Sequence, residues 1–296
     1  MDMIAIKITD VRAVPGDSGF LIDDGKTAVL CDSGFAFTGY QVADNIKKIL
    51  GRRPLNYILL THSHYDHVLG TPYILKEYPN AKVIAGVYAD QIFRKPTARA
   101  VMRELDGKAA KKHGVLSYED LIDNLKIDGT VEDGDTIACG DMHFMAVALP
   151  GHTKCSVGYY LVENKLLLSV ETLGVYLGDQ TYLPSFLVGY QMTLESIRKA
   201  GQMEVETILL PHYGVVEGEE MRAYLENAEV VTKEAAHTIA AMFRAGKTKE
   251  EILAFFTERD YTDHVKPIYP IDAFLLNTGI MIQRAEKELG ANQEAR

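Results

Sequence analysis

Residues 61–67 concentrate side chains that can bind a metal ion. The run holds three imidazoles and one carboxylate, those of His62, His64, His67 and Asp66. It directly follows the apolar run 57–60, which is typical of a buried strand, and it precedes a turn into a predicted helix. The end of a buried strand holds metal ligands in fixed positions. In a loop that binds no metal, several crowded imidazoles would give no packing benefit. The pattern therefore predicts a metal site, in preference to a polar loop that is rich in histidine by coincidence.

The same run resembles the first metal motif, H-x-H-x-D-H, of the metallo-β-lactamase superfamily, and other motifs extend the resemblance along most of the chain. Residues 31–34, Cys-Asp-Ser-Gly, follow a predicted strand as the family's D-[TS]-G turn does. Residues 150–153 are similar to its G-H-[TS] motif, and residues 210–214 stand where its last histidine is expected. The chain departs from the family at its bridging aspartate, because the predicted strand 166–170 is followed by Glu171.

The resemblance implies two divalent metal ions. The first ion would be held by His62, His64 and His152, the second by Asp66, His67 and His212, with Glu171 as the bridge. Such a pair can share a hydroxide and lower its pKa, and zinc is the favoured metal for nitrogen and oxygen ligands. The extra methylene of Glu171 changes the geometry of a bridge, so iron and manganese are the alternatives. The other interpretation is that Glu171 is no ligand and that the site is mononuclear or degenerate.

Further candidates lie beside these ligands. Asp66, besides binding metal, is predicted to orient the hydroxide and accept its proton. Asp32 is predicted to hydrogen-bond to a ligand imidazole and fix its tautomer; the alternative is an Asx-turn residue. Three aromatic residues follow ligand positions and are predicted to line a substrate pocket, with ordinary packing as the alternative: Tyr176, Tyr182 and Tyr213.

The composition limits the class of protein. Of 296 residues 47% are apolar, and 41 acidic residues against 31 basic ones give a formal charge of -10. This acidity argues against a nucleic-acid partner, which normally binds a basic patch. Three cysteines are too few for a disulfide framework, and we find neither a signal peptide pattern nor an apolar run of about 20 residues. We expect a cytoplasmic protein that acts on a small molecule, with no nucleic-acid or membrane partner; a homodimer is left open.

The order of predicted elements indicates an α/β fold. Short strands at 4–30 are followed by a helix, the strand 57–60 and a further strand at 82–85, and the strands within 130–170 form a second sheet. This agrees with the αββα metallo-β-lactamase sandwich that the resemblance implies, in which helices cover two packed sheets.

We predict two domains. Residues 1–216 would form the sandwich, with a helical insertion at about 86–125 that either walls the active site or only covers a sheet edge. The insertion is predicted to contain short helices at 87–93, 98–105 and 118–121, separated by Pro96, Gly107 and Gly114. Residues 217–296 are predicted to form an all-helical C-terminal extension packed on the sandwich, in which Thr248-Lys-Glu-Glu251 resembles a capping box.

The layout of the chain looks most like the quinolone-signal-response type of thioesterase, which also has a helical tail. We predict a hydrolase in which a metal-bound hydroxide attacks an ester, thioester or lactone of a small molecule. One alternative is a non-catalytic or degenerate metal-binding sensor or interaction protein, which Glu171 suggests. The other is a phosphodiesterase, because the same pair of ions supports phosphodiester hydrolysis.

Overall fold

The chain divides into two units in the computed structural model, which describes residues 3–179, 181–267 and 269–290. Unit 1 comprises Met1–Ala148, Cys155–Ser169 and Val205–Gly214, and unit 2 comprises Leu149–Lys154, Val170–Glu204 and Val215–Arg296. The outermost residues of the two predicted domains, 1–2 and 291–296, lie outside the described residues. Within the described ranges, no helix is both long and apolar enough to cross a membrane.

The first sheet of unit 1 places its strands side by side in chain order. They are β1 (Lys7–Asp10), β2 (Phe20–Asp23), β3 (Ala28–Cys31), β4 (Tyr57–Leu60), β5 (Lys82–Gly86) and β6 (Gly129–Val131). β1, β2 and β3 pair antiparallel, whereas β3, β4, β5 and β6 pair parallel. Because β3 and β4 are parallel, Asp32 and residues 61–67 start from the same edge of the sheet.

The central strands β3 and β4 of this sheet are buried on both faces. In β3, Leu30 packs into one cluster and Val29 into another, and in β4 Ile58 and Leu59 divide in the same way. Successive side chains of a strand point to opposite faces, so an unbroken apolar run indicates that both faces are covered. The helices that pack on the outer face are α1 (Gly39–Leu50), α2 (Tyr65–Val68), α3 (Thr71–Glu77), α4 (Val87–Phe93) and α5 (Pro96–Lys112).

The second sheet of unit 1 packs on the inner face of the first. Its strands within this unit are β7 (Thr136–Cys139), β8 (Met142–Ala148), β9 (Val157–Leu161), β10 (Leu166–Leu168) and β13 (Thr207–Leu210), in the order β13-β10-β9-β8-β7. Phe20 and Leu59 of the first sheet share one core with Tyr159 and Leu209 of the second. Unit 1 is therefore layered as helices, sheet and sheet, and the predicted α/β architecture is confirmed.

Unit 2 is mainly helical. Its elements are the hairpin strands β11 (Val175–Tyr176) and β12 (Tyr182–Leu183) and the helices α6 (Tyr190–Gly201), α7 (Gly218–Arg244), α8 (Lys249–Asp260) and α9 (Ile271–Ala285), which continues as a π-turn at Glu286–Gly290. β14 (Gly214–Glu217) crosses the boundary between the units. Leu194, Ile239, Phe256 and Ile282 give the four helices one common core. Thr248 and Glu251 form the predicted capping box at the start of α8, and the C-terminal region is helical as predicted.

The helices of the insertion differ from the prediction. α5 continues through Gly107 to Lys112, and residues 118–121 are not helical. A glycine in a helix costs only about 1 kcal/mol relative to alanine, so tertiary contacts can override it. Here Asp106, next to that glycine, accepts hydrogen bonds from the amide of Ala36 at 2.8 Å and from the hydroxyl of Tyr118.

Asp106 is expected to make the stability of the protein depend on pH. Burial raises the pKa of this carboxyl from 3.8 to about 6, although the hydrogen bond from Tyr118 opposes the rise. Because the carboxyl has a higher pKa in the native state than in the unfolded chain, its ionisation favours unfolding. The stability that this group contributes is therefore greatest below pH 3.8 and is lost as the pH rises through 6. The side chain of the Asp106→Asn variant cannot ionise. The free energy of unfolding of the variant, relative to that of the wild type, should therefore rise by up to about 3 kcal/mol between about pH 4 and pH 7. Urea unfolding of both proteins checks this, and a difference that is constant with pH contradicts it.

Candidate metal centre

Residues 61–67 are shaped by the loop that follows β3. The amide of Ser33 donates to the carbonyl of His67 at 2.7 Å, and the amide of Gly70 donates to the carbonyl of Gly34 at 2.9 Å. Gly70 has to be glycine, because a Cβ there would lie 1.9 Å from the carbonyl oxygen of Ser33. The loops after β3 and β4 thus support each other, and α2 starts directly within the ligand run.

Unit 1 brings Asp66, His67 and His212 together. The Oδ2 of Asp66 lies 3.7 Å from the Nε2 of His67 and 3.7 Å from the Nε2 of His212. One ligand atom from each residue lies within 4.8 Å of the other two. Ligand atoms at about 2.1 Å from a tetrahedral cation are about 3.4 Å apart, so this spacing suits a shared cation better than it suits direct hydrogen bonds. Two imidazole nitrogens and a carboxylate oxygen are also a donor set that zinc accepts.

The remaining histidines of the ligand run lie beside this cluster. The ring centroids of His62 and His67 are 4.1 Å apart, those of His62 and His64 are 4.6 Å apart, and those of His67 and His212 are 4.8 Å apart. His62 and His67 are fully buried. The predicted ligands that belong to unit 1 therefore surround one region of that unit; that they bind metal stays a prediction.

Asp32 holds two of these histidines. Its Oδ2 accepts a hydrogen bond from the Nδ1 of His67 at 2.7 Å and from the hydroxyl of Ser18 at 3.1 Å. The hydroxyl of Thr61 donates to Asp32 at 2.9 Å, so its oxygen accepts from the Nδ1 of His62 at 3.1 Å. A neutral imidazole that donates through Nδ1 carries its lone pair on Nε2. Both histidines are thus in the tautomer that binds a metal ion through Nε2.

His212 is held by the segment before β2. Its backbone has a left-handed φ of 65°, which costs a non-glycine residue about 1–2 kcal/mol and needs support from its surroundings. Its Nδ1 donates to the carbonyl of Asp17 at 3.0 Å. The guanidinium of Arg12 donates to the carbonyl of His212 and, at 3.3 Å, to that of Tyr213, and it lies 4.8 Å from the ring centroid of Phe20.

Removing the Arg12 guanidinium is expected to weaken metal binding. Without its hydrogen bonds the left-handed turn at His212 loses support, and changes of this kind beside a metal ligand typically reduce affinity about 10–100-fold. Competition of Arg12→Ala with a chelator for zinc measures the effect. Arg53→Ala is the control, because it removes a paired guanidinium, 2.8 Å from Asp23, away from the ligands. Equal zinc affinities of Arg12→Ala and the control would contradict this role.

The two predicted ligands in unit 2 lie on neighbouring turns. His152 is 6% exposed, and its Nδ1 lies 2.7 Å from the hydroxyl oxygen of Ser185. Glu171 is 4% exposed and begins the 3₁₀ turn Glu171–Leu173. The backbone amide of His152 donates to the hydroxyl of Thr172 at 3.1 Å, which joins the two turns within this unit. Their roles as ligands stay predictions.

Tyr176 and Tyr182 form an aromatic cluster in unit 2. Their ring centroids are 5.0 Å apart, and the rings of both lie 5.7–5.8 Å from that of Tyr224. The hydroxyl of Tyr176 donates to Glu220 at 2.5 Å. Tyr213 belongs to unit 1 and is 37% exposed. A role of these three tyrosines in a substrate pocket also stays a prediction.

Sequence reasoning missed the residues that orient the histidines, which are Arg12, Asp17, Ser18, Thr61 and Ser185. Only Thr61 had a signal, since it stands next to His62 and its hydroxyl can accept a hydrogen bond. The others are isolated in sequence. Asp17 accepts from His212 through its backbone carbonyl, and this contact cannot be predicted from the residue type because every residue has such a carbonyl.

Known proteins resemble this chain in both sequence and fold. The family model described as the metallo-beta-lactamase superfamily matches residues 13–212. A probable metallo-hydrolase of Burkholderia pseudomallei is 24% identical over 221 residues, which are 72% of this chain and 68% of that protein. A hydroxyacylglutathione hydrolase of Legionella pneumophila is 25% identical over 119 residues, which are 40% of this chain and only 34% of that protein.

One of the solved structures matches most of this chain. A metallo-beta-lactamase family protein of Thermus thermophilus has a TM-score of 0.65 and 16% identity, and the match covers 97% of this chain and 94% of that one. The predicted fold is therefore confirmed. The segment matched by the family model extends from residue 13 to His212 and includes every predicted metal ligand. The chain belongs to the metallo-beta-lactamase superfamily.

Proposed function

We propose that this protein is a metal-dependent hydrolase that cleaves an ester, thioester or lactone of a small molecule. The observation that carries the proposal is the cluster of Asp66, His67 and His212, whose ligand atoms lie within 4.8 Å of one another. The proposal is supported further by the hydrogen bonds that the Nδ1 atoms of His62, His67 and His212 donate, because these leave Nε2 as the metal-binding nitrogen of each histidine.

The proposed ligand set keeps the residues that the resemblance implies: His62, His64, Asp66, His67, His152, Glu171 and His212. We propose two divalent ions per chain, with zinc favoured and iron or manganese as the alternatives. When bound, such ions lower the pKa of water towards neutrality and polarise a carbonyl. A cytoplasmic location stays a prediction from the sequence, and the sequence leaves a homodimer open.

The residues of the chain orient the histidine rings and provide a proton acceptor. His62 and His67 are fully buried, and Asp32 and Thr61 fix their rings, so these residues hold a geometry without taking part in proton transfer. The side chain of Asp66 is 22% exposed, so a water molecule can reach it. We therefore assign to Asp66 the orientation of the attacking water and the acceptance of its proton.

A thioester is the first substrate class to test. The Legionella pneumophila relative is named for the hydrolysis of hydroxyacylglutathione, which is a thioester. The formal charge of -10 argues in addition against a phosphodiester in a nucleic acid.

Metal analysis and a substrate panel test the proposal. Protein purified without added metal should contain close to two ions per chain. An acyl-glutathione thioester, a nitrophenyl ester, a lactone and a nitrophenyl phosphodiester are then compared on one preparation. We expect turnover of a carboxylic substrate that a chelator abolishes and added metal restores. Turnover of the phosphodiester alone would favour a phosphodiesterase, and full turnover by metal-free protein would refute the proposal.

The Glu171→Asp variant distinguishes a hydrolase from a metal-binding protein that has lost catalysis. The carboxylate of Glu171 is one methylene longer than the aspartate of the family motif, so Glu171→Asp restores the usual side chain without changing its charge. An active wild type with a similar or slower Glu171→Asp variant supports the hydrolase. If activity on the panel appears only in the variant, the natural protein is a metal-binding protein that has lost catalysis.

A further inference from the structure

The turn that carries His152 is held by residues 185–189 of the same unit, here called the anchor loop. The hydroxyl oxygen of Ser185 lies 2.7 Å from the Nδ1 of His152. The amide of Val188 donates to the carbonyl of Gly151 at 2.8 Å. Gly151 has a φ of 151°, and a Cβ there would lie 2.4–2.9 Å from atoms of Thr172 and Thr193, so the turn needs glycine at this position. The anchor loop thus contacts both the ring and the backbone of this turn.

The C-terminal helix holds the anchor loop in turn. The Nε of Arg284 donates to the carbonyl of Leu187 at 2.9 Å. The two carboxylate oxygens of Glu288 accept hydrogen bonds from the amides of Tyr190 at 2.8 Å and Gln191 at 3.0 Å. Amides at the start of a helix have no partner within the helix, so Glu288 supplies the missing acceptors at the beginning of α6.

Apolar packing fixes the same contact. Phe186 follows Ser185 directly, is fully buried, and shares one core with Ile239, Met281 and Ile282. The anchor loop cannot move without disturbing the packing of α9, because such cores are close-packed.

We propose that Ser185 is a positioning residue for His152, and that Arg284 and Glu288 keep it in place, so that metal affinity at His152 depends on the C-terminal helix. This rests on the proposed function, in which His152 is a ligand. To offer its Nε2 to a cation, His152 has to donate through Nδ1, and the hydroxyl oxygen of Ser185, 2.7 Å from that atom, can accept this hydrogen bond. Without the acceptor the ring can change tautomer and rotate.

The tautomer of His152 can be measured without metal. Long-range proton–nitrogen NMR of the full chain should show the Nδ1–H form for His152 in the wild type, assigned by its loss in His152→Gln. In Ser185→Ala the Nε2–H form should appear, and Ser185→Thr should restore the wild-type signal. An unchanged tautomer in Ser185→Ala overturns the proposal.

Stepwise cobalt titration of the full chain tests the role of the C-terminal helix. Ser185→Ala and Glu288→Ala should bind one of two ions about 10–100-fold more weakly, while the other affinity stays within about twofold. Glu286→Ala is the matched control, because its carboxylate lies on the same turn but pairs with Lys249 at 2.7 Å.

Two outcomes of this titration overturn the inference, namely equal affinities in all variants and equal losses in Glu286→Ala and Glu288→Ala. A wild type that binds two ions but hydrolyses nothing refutes only the proposed function. In that case the tautomer of His152 and the affinities still decide the role of Ser185.

Discussion

Asp66→Asn is expected to lower kcat/KM for the thioester about 10²–10⁴-fold, the range that a positioned proton acceptor typically contributes. Asparagine keeps the shape of the side chain but removes the charge between the Nε2 atoms of His67 and His212, each 3.7 Å from the carboxylate. The effect corresponds to about 3–5 kcal/mol of transition-state stabilisation. Steady-state kinetics with metal in excess measures it.

The exposed Asp44 on α1 offers the matched control. Asp44→Asn makes the same chemical change away from the cluster and should leave kcat/KM unchanged. Metal content is measured on both variants, so that loss of an ion is separated from loss of the proton acceptor. If Asp66→Asn turns over the thioester within about threefold of Asp44→Asn, Asp66 is not the proton acceptor.

Asp32→Asn is expected to weaken metal binding about 10–100-fold although the site keeps every ligand. Asparagine tolerates the left-handed φ of 56° at this position. Asp32 accepts hydrogen bonds from Ser18, Thr61 and His67. The asparagine amide has only one acceptor oxygen, so it cannot accept all of these hydrogen bonds. When the amide nitrogen faces the Nδ1 of His67, that ring has to change tautomer and loses the lone pair on Nε2.

Asp32→Ala should in addition unfold the protein more easily. It leaves several buried donors without an acceptor and puts alanine in the left-handed region, which together cost about 3–5 kcal/mol. Urea unfolding and zinc competition measure the two effects separately. Asp23→Asn is the control, because Asp23 pairs with Arg53 at the other end of the adjacent strand β2. Zinc affinity of Asp32→Asn equal to that of Asp23→Asn would show that Asp32 does not orient His67.

Local patterns determined much of the fold. The strand Tyr57–Leu60 lies where the apolar run predicted it, and the capping box at Thr248 is formed as predicted. Such features depend on neighbours in sequence. The strand before Glu171 is shorter than predicted, because β10 ends at Leu168. The prediction also included Ser169 and Val170, whereas β10 pairs with β13 only through Leu166–Leu168, and this pairing is decided by the sheet.

The sequence by itself determined the ligand types, because residues 62–67 supply four of them within one strand–loop–helix segment. Only the tertiary structure decided how their rings are oriented. Arg12 and His212 are 200 residues apart in the chain, and their contact runs through a backbone carbonyl. Ser185 and His152 are 33 residues apart and meet through one hydroxyl. A single hydrogen bond between distant segments leaves no periodic pattern or motif in the sequence, so folding alone brings its two partners together.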